Sequence, residues 1–171
     1  MPSVQDGQSK DARVVPKAKI RGKQDATPNS ELVVRLGVTR QSGSDQLLVF
    51  SGLINKVTAN FLVDSGANTN CVSTKFVQEN GIVCTELHTP VSEIGYEGQS
   101  AKITKELRAA RVWLRDFKDK MDLMVLDIAD YDMILEKPWL SRCQPKIDWR
   151  TNQITLRQGN KKVVLEPYKA A

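Results

Sequence analysis

From Leu32 onward the chain is cut into short apolar runs by turn-forming residues, and that pattern limits the fold more than any other feature. "LVVRLGVT", "LLVFSGLI" and "VTANFLV" are rich in β-branched and aromatic side chains, with Ser42-Gly43-Ser44 and Asn55-Lys56 between them. Such residues suit a pleated, half-buried surface, so the runs are predicted strands, the last two forming a hairpin. "STKFVQENG" reads as one short helix, with Ser73 placed to cap it, Phe76 and Val77 on one side, and Asn80-Gly81 as a stop. "VSEIGYEGQSAKI" holds two glycines inside a strand-like segment, and "ELRAARVWL" and "KMDLMVLDI" alternate apolar and polar residues. "KPWLSRC" predicts a second short helix with Pro138 near its first turn. "PKIDWRTNQITL" and "KKVVLE" predict further strands, with turns at Thr151-Asn152 and Gly159-Asn160. Many short strands with one or two short helices imply a mostly-β barrel or sandwich-like domain.

A length of 171 residues suits one domain of ordinary size and is too short for two enzyme-sized lobes. Residues 1–30 carry few large apolar groups and cannot offset their ordering entropy, so they are expected to be a flexible basic leader before a folded domain at 31–171. No apolar run approaches the roughly 20 residues of a membrane span, so no membrane partner is expected. The first segment lacks the apolar stretch of a signal peptide, so Cys71, Cys84 and Cys143 are expected to be free thiols in a reducing compartment. The net charge of +5 owes much to Lys10, Arg13, Lys17, Lys19, Arg21 and Lys23. Asp6, Asp11 and Asp25 dilute that cluster, and no nucleic-acid-binding signature accompanies it, so specific nucleic-acid binding is not expected.

Several chemistries lack their residues. Cys71, Cys84, His88 and Cys143 are zinc-ligand types without a close Cys pair, so no metal site is expected; His88 reads as a solvated loop side chain. A single histidine and no G-x-S-x-G elbow argue against a nucleophilic triad. Asp127, Asp130 and Asp132 in "DIADYD" lack the Gly and terminal Glu of a calcium loop and read as a polar strand connection. Asp64 remains. In "NFLVDSGANTN" an apolar strand delivers it to a Ser-Gly turn, where it is either an ordinary turn residue or a group doing chemistry at the bottom of a cleft. If two such turns met face to face, two carboxylates within hydrogen-bond distance could not both be ionised, and one could act as base while the other acted as acid on a shared water.

"FLVDSGANTNCVS" resembles the active-site loop of retroviral-type (retropepsin) aspartic proteases, and "DYDMILEKPWLSRCQPKIDWRTNQI" resembles the second signature of that domain in gypsy-type retrotransposon polyproteins. The resemblance runs from about Leu47 to Glu166, with the motifs about seventy residues apart. It implies a retropepsin-like barrel with Asp64 as the catalytic aspartate, Ser65 and Gly66 completing the triplet, and Ala67 packed behind them. It also implies a lid or flap that binds substrate, built from Ile94, Gly95, Tyr96, Glu97 and Gly98. Ile134 and Leu135 match the apolar pair behind the catalytic loop. Where the family usually has Gly after that pair, this chain has Glu136, and Gly there suits a constrained backbone or close approach.

With one Asp-Ser-Gly triplet, the resemblance implies a homodimer that hydrolyses a polypeptide, its own retroelement polyprotein, by a water held between two Asp64 carboxylates. No cofactor is called for, and the setting implied is the cytoplasm and virus-like particles within it. The alternative is a catalytically weakened module of the same fold that binds peptides or serves assembly.

Overall fold

A computed structural model of the chain describes residues 33–35, 47–94 and 100–168. The leader expected over residues 1–30 and the lid residues 95–98 lie outside them. The elements in chain order are β1 (Val33–Arg35), β2 (Val49–Ile54), β3 (Val57–Val63), β4 (Cys71–Ser73), α1 (Thr74–Glu79), β5 (Thr85–Ile94), β6 (Ser100–Leu114), β7 (Phe117–Leu126), β8 (Met133–Leu135), α2 (Lys137–Cys143), β9 (Lys146–Asp148), β10 (Gln153–Gln158) and β11 (Lys161–Leu165).

The first sheet runs β1-β5-β6-β2-β3-β8-β4-β7, and β7 pairs back onto β6. That last pairing closes β6, β2, β3, β8, β4 and β7 into a mixed barrel, so the domain is mostly β with two short helices. Closure leaves no free edge among those six strands. β9, β10 and β11 form a separate antiparallel sheet of three strands.

The expected hairpin is β2–β3, in register from Val49↔Leu62 to Ile54↔Val57. Its turn residues Asn55 and Lys56 take φ of 48° and 69°, the left-handed pair that matches the twist of a two-residue hairpin. Asn55 also ties the turn to β6: its N–H donates to Arg111 O, and its Oδ1 accepts from Arg111 N–H, both at 2.9 Å. Gly52 is needed where β2 meets β6, because a Cβ there would stand 2.9 Å from Trp113 O and 2.9 Å from Leu114 Cδ2. α1 ends as its sequence predicts, with Gly81 at φ +60° just past the helix.

Burial along β3 explains how the barrel reaches the site. Ala59 and Phe61 face inward while Thr58 and Asn60 are exposed, and then Phe61, Leu62 and Val63 are all buried. The change comes where β8 lies alongside and both faces are covered. Phe61 and Val63 join the large core with Phe50, Ile54, Leu135 and Trp139, whereas Leu62 joins a second cluster with Cys71, Ile103, Leu126 and Ile134. Each large buried side chain contributes on the order of 2 kcal/mol, whereas an exposed ion pair such as Lys75–Glu79 or Lys105–Glu86 contributes at most about 1. Burial therefore holds the barrel.

One expectation is corrected. The segment around His88 is not a loop, because β5 starts at Thr85 and His88 lies exposed on it. The pairing with β6 shifts register between Glu86 and Val91, which accommodates Pro90 and breaks the alternation that would have marked a strand.

Candidate active site

β3 ends at Val63, and the backbone there is fixed by its parallel neighbour β8, with Leu62 opposite Ile134 and Val63 opposite Leu135. Ile134 and Leu135 are buried directly beside the turn. The next residue is Asp64, half-buried, whose N–H donates to Leu135 O at 3.0 Å. Gly66 N–H donates to Asp64 Oδ1 at 2.8 Å, so the carboxyl is oriented by its own turn. Ser65 and Gly66 are exposed, and Ala67 is buried.

The rest of the loop is stitched to the start of α2. Lys137 N–H donates to Ala67 O at 3.3 Å, Thr69 N–H donates to Glu136 Oε2 at 2.6 Å, and Glu136 N–H donates to Asn70 Oδ1 at 2.8 Å. Glu136 Oε1 lies 3.9 Å from Cys71 Sγ. The whole Glu136 side chain is out of water. Burial pushes its carboxyl up to about 8; the Thr69 N–H pulls the other way, the charge of Asp64 adds to the rise, and the Cys71 thiol lowers it. Burial, then the nearby Glu136, likewise holds the Cys71 thiol well above its usual range. The cysteines Cys71, Cys84 and Cys143 are free.

The geometric expectation at Glu136 is corrected. Its φ of −120° and ψ of −165° are extended backbone that any residue adopts, so no glycine is required there, and its side chain occupies a partnered interior position. Sequence reasoning missed Glu136, Thr69 and Asn70 as partners. A signal existed: Glu136 directly follows the apolar run Met133-Ile134-Leu135, which is buried, and a buried charge needs hydrogen-bond partners. Asp132 was also more than a polar connection. Its Oδ2 accepts from Asn60 N–H at 2.9 Å and its carbonyl from Ser73 N–H at 2.8 Å, which ties β3 to β4 around the Asp64 loop. Of the lid residues, Ile94 is the last residue of β5, and Gly95, Tyr96, Glu97 and Gly98 lie outside the described residues.

A strand pair that holds an Asp-Ser-Gly turn beside a buried apolar β8 on a closed barrel is the retropepsin arrangement. The retroviral protease-like domain of Ddi1 from Leishmania major has a similar fold, at a TM-score of 0.55 and 18% identity over 72% of this chain and 94% of that one. The chain belongs to the PEG10/RTL1 protease domain family, whose model matches residues 60–162, and it is a retropepsin-type protease domain. A protein of unknown function from Legionella pneumophila is far less similar, at a TM-score of 0.33 and 12% identity over 59% of this chain and 89% of that one. A search of curated proteins gave no match. No helix among the described residues is long and apolar enough to cross a membrane.

Proposed function

We propose that this domain is an aspartic endopeptidase acting as a homodimer on a polypeptide, with its own retroelement polyprotein as the natural substrate. The observation that carries this reading is the placement of Asp64: half-buried, at the end of a core strand, with its backbone fixed by Leu135 O and its carboxyl oriented by Gly66 N–H. A carboxyl so held is pre-organised for chemistry, and family membership supports the same role. One triplet supplies one carboxyl, so the second comes from another copy, with the exposed Ser65 of each loop available to brace the pair.

In the pair, one Asp64 carboxylate takes a proton from water as the water oxygen bonds to the peptide carbon, while the other, protonated, gives its proton to the carbonyl oxygen. Collapse of the tetrahedral species breaks the C–N bond, and a proton passes to the departing amine. No covalent intermediate forms. The test is cleavage of an unstructured protein at mildly acidic pH, with and without a hydroxyl-containing peptide that mimics the tetrahedral species, followed through a dilution series with the solution mass recorded. Inhibition by the mimic and specific activity that falls with the dimer fraction are expected. Activity per chain that stays constant in a demonstrable monomer would overturn the reading. Binding of the mimic with no cleavage at any pH would favour the alternative, a peptide-binding or assembly module, for which the acid Glu136 beside the Asp64 loop is the motivating feature.

A further inference from the structure

Glu136 is the only charged residue type that is buried among the described residues, and the proposed hydrolysis gives it no task. Its position is unusual for its place in the fold. It is the N-cap residue of α2, yet its side chain makes no capping bond to that helix. The carboxyl turns instead to the loop that begins at Asp64, where Oε2 accepts from Thr69 N–H at 2.6 Å and Oε1 faces Cys71 Sγ at 3.9 Å. Its N–H holds Asn70 Oδ1 at 2.8 Å, and the carbonyl of the preceding residue, Leu135, holds Asp64 N–H at 3.0 Å. Three consecutive residues, the loop's Thr69 and Asn70 and the first residue of β4, Cys71, thus lean on one side chain and its backbone.

We propose that Glu136 is a positioning residue for Asp64: as a neutral acid it braces residues 69–71 and so sets the bend of the loop that carries Asp64, and on ionising it loosens that loop. The proposal rests on the reading of Asp64 as a catalytic carboxylate. The groups that face Glu136 explain the direction. They are Asp64, a like charge; the Cys71 thiol, which Glu93 on β5 also reaches; and the Thr69 amide. No Lys, Arg or His forms an ion pair with Glu136 among the described residues, and the neighbouring Lys137 is exposed. Both oxygens accept, Oε2 from Thr69 N–H and Oε1 from the Cys71 thiol, and in the acid form one of them also carries the proton. Loss of that proton leaves an uncompensated charge out of water and next to Asp64. The protein relieves it by admitting water or moving the loop, and either displaces Asp64.

The test compares wild type, Glu136→Gln and Glu136→Ala. Gln keeps an acceptor for Thr69 and cannot ionise; Ala removes the brace. Backbone hydrogen exchange of residues 64–71, corrected for the intrinsic effect of pH, is measured at pH 6 and pH 9, and kcat and KM for a peptide are measured at pH 6. Wild type is expected to lose protection of this segment at pH 9 by about tenfold or more, whereas Glu136→Gln keeps it at both values. Glu136→Ala is expected to lose protection already at pH 6 and to drop kcat about tenfold or more with KM within about threefold, and Gln to rescue kcat. The same pH response in wild type and Glu136→Gln overturns the ionisation step, and unchanged protection and kcat in Glu136→Ala overturn the brace. Should Glu136→Ala fail to fold, the comparison of wild type with Gln decides alone. If wild type cleaves nothing, the endopeptidase reading fails, and the exchange data still decide whether Glu136 governs the loop.

Discussion

The two helices of this domain use their first residues in opposite ways. Ser73, at the N-cap of α1 with φ −67° and ψ 132°, accepts Phe76 N–H on its Oγ at 3.3 Å and serves the helix it begins. Glu136 holds the same position in α2 and gives its side chain to residues across a turn. α2 tolerates this because other features support it. Pro138 presets the backbone of the first turn and presents no N–H to satisfy, Trp139 is fully buried, and Arg142 in the last turn makes two hydrogen bonds to Asp119, at 2.9 and 2.7 Å. A side-chain cap is worth about 1 kcal/mol, less than the burial of one large side chain, so a well-packed helix can do without it. The difference separates a helix end whose leading residue serves that helix from one whose leading residue turns to the loop that begins at Asp64.

The largest test of that contrast is Asp64→Asn. Asn is near-isosteric and suited to turns, yet its amide cannot act as base, so cleavage is expected to vanish, by about 10³-fold or more, with the thermal midpoint maintained. Residual cleavage, or inactivity caused by unfolding, would show that the loop Glu136 braces is not a reacting one.

Next in size is the response of stability to pH. The Glu136 carboxyl has an ordinary value of 4.5 and stands at about 8 in the fold, so between those values the folded state binds more protons than the unfolded chain. Stability is therefore fully present below about pH 4.5, declines as pH rises through that window, and levels off above about 8, a loss on the order of 5 kcal/mol. Thermal midpoints of wild type and Glu136→Gln across pH 4.5–9 check this. A wild-type slope that persists in Glu136→Gln would assign the effect to other groups.

Ser73→Ala is expected to cost about 1 kcal/mol at every pH and to leave exchange in residues 64–71 unchanged, because its bond is local to α1. If it loosened the Asp64 loop, the two N-caps would not be functionally distinct. The smallest effect concerns the exposed pair Lys75–Glu79 at 3.8 Å, which runs against the preferred order of charges along a helix. Exchanging the two residues, Lys75→Glu with Glu79→Lys, is expected to raise stability by a few tenths of a kcal/mol, read as a small rise in denaturation midpoint at low salt. A loss would mean that α1 depends on this pair as it stands.

Much of this architecture could be read from local chemistry. The β2–β3 hairpin followed from two strand-like runs around Asn55-Lys56, and α1 from Ser73, its apolar side and Gly81, because turn and cap residues act on their immediate neighbours. Pro138 similarly marked the start of α2. The first half of β5 was hidden because Pro90 and a register shift remove the alternation on which such a reading depends. At the site, the triplet Asp64-Ser65-Gly66 and the apolar pair Ile134-Leu135 stood out as motifs, and the fold sets them side by side. What stayed hidden was relational. Glu136 looked like a residue too large and polar for its place, since its partners Thr69 and Cys71 are brought to it only by the pairing of β4 with β8.

The parallel pairing of β3 with β8 also bears on when the site can exist. During synthesis Asp64 leaves the ribosome about seventy residues ahead of Leu135, and at about 5–20 residues per second several seconds separate them. Contacts between such distant segments form late, after shorter loops have closed. A nascent chain, or a fragment ending before Met133, carries the Asp-Ser-Gly triplet without the strand that fixes its backbone. Such a fragment is expected to be inert, so the order of translation itself delays assembly of the site until most of the domain has been made.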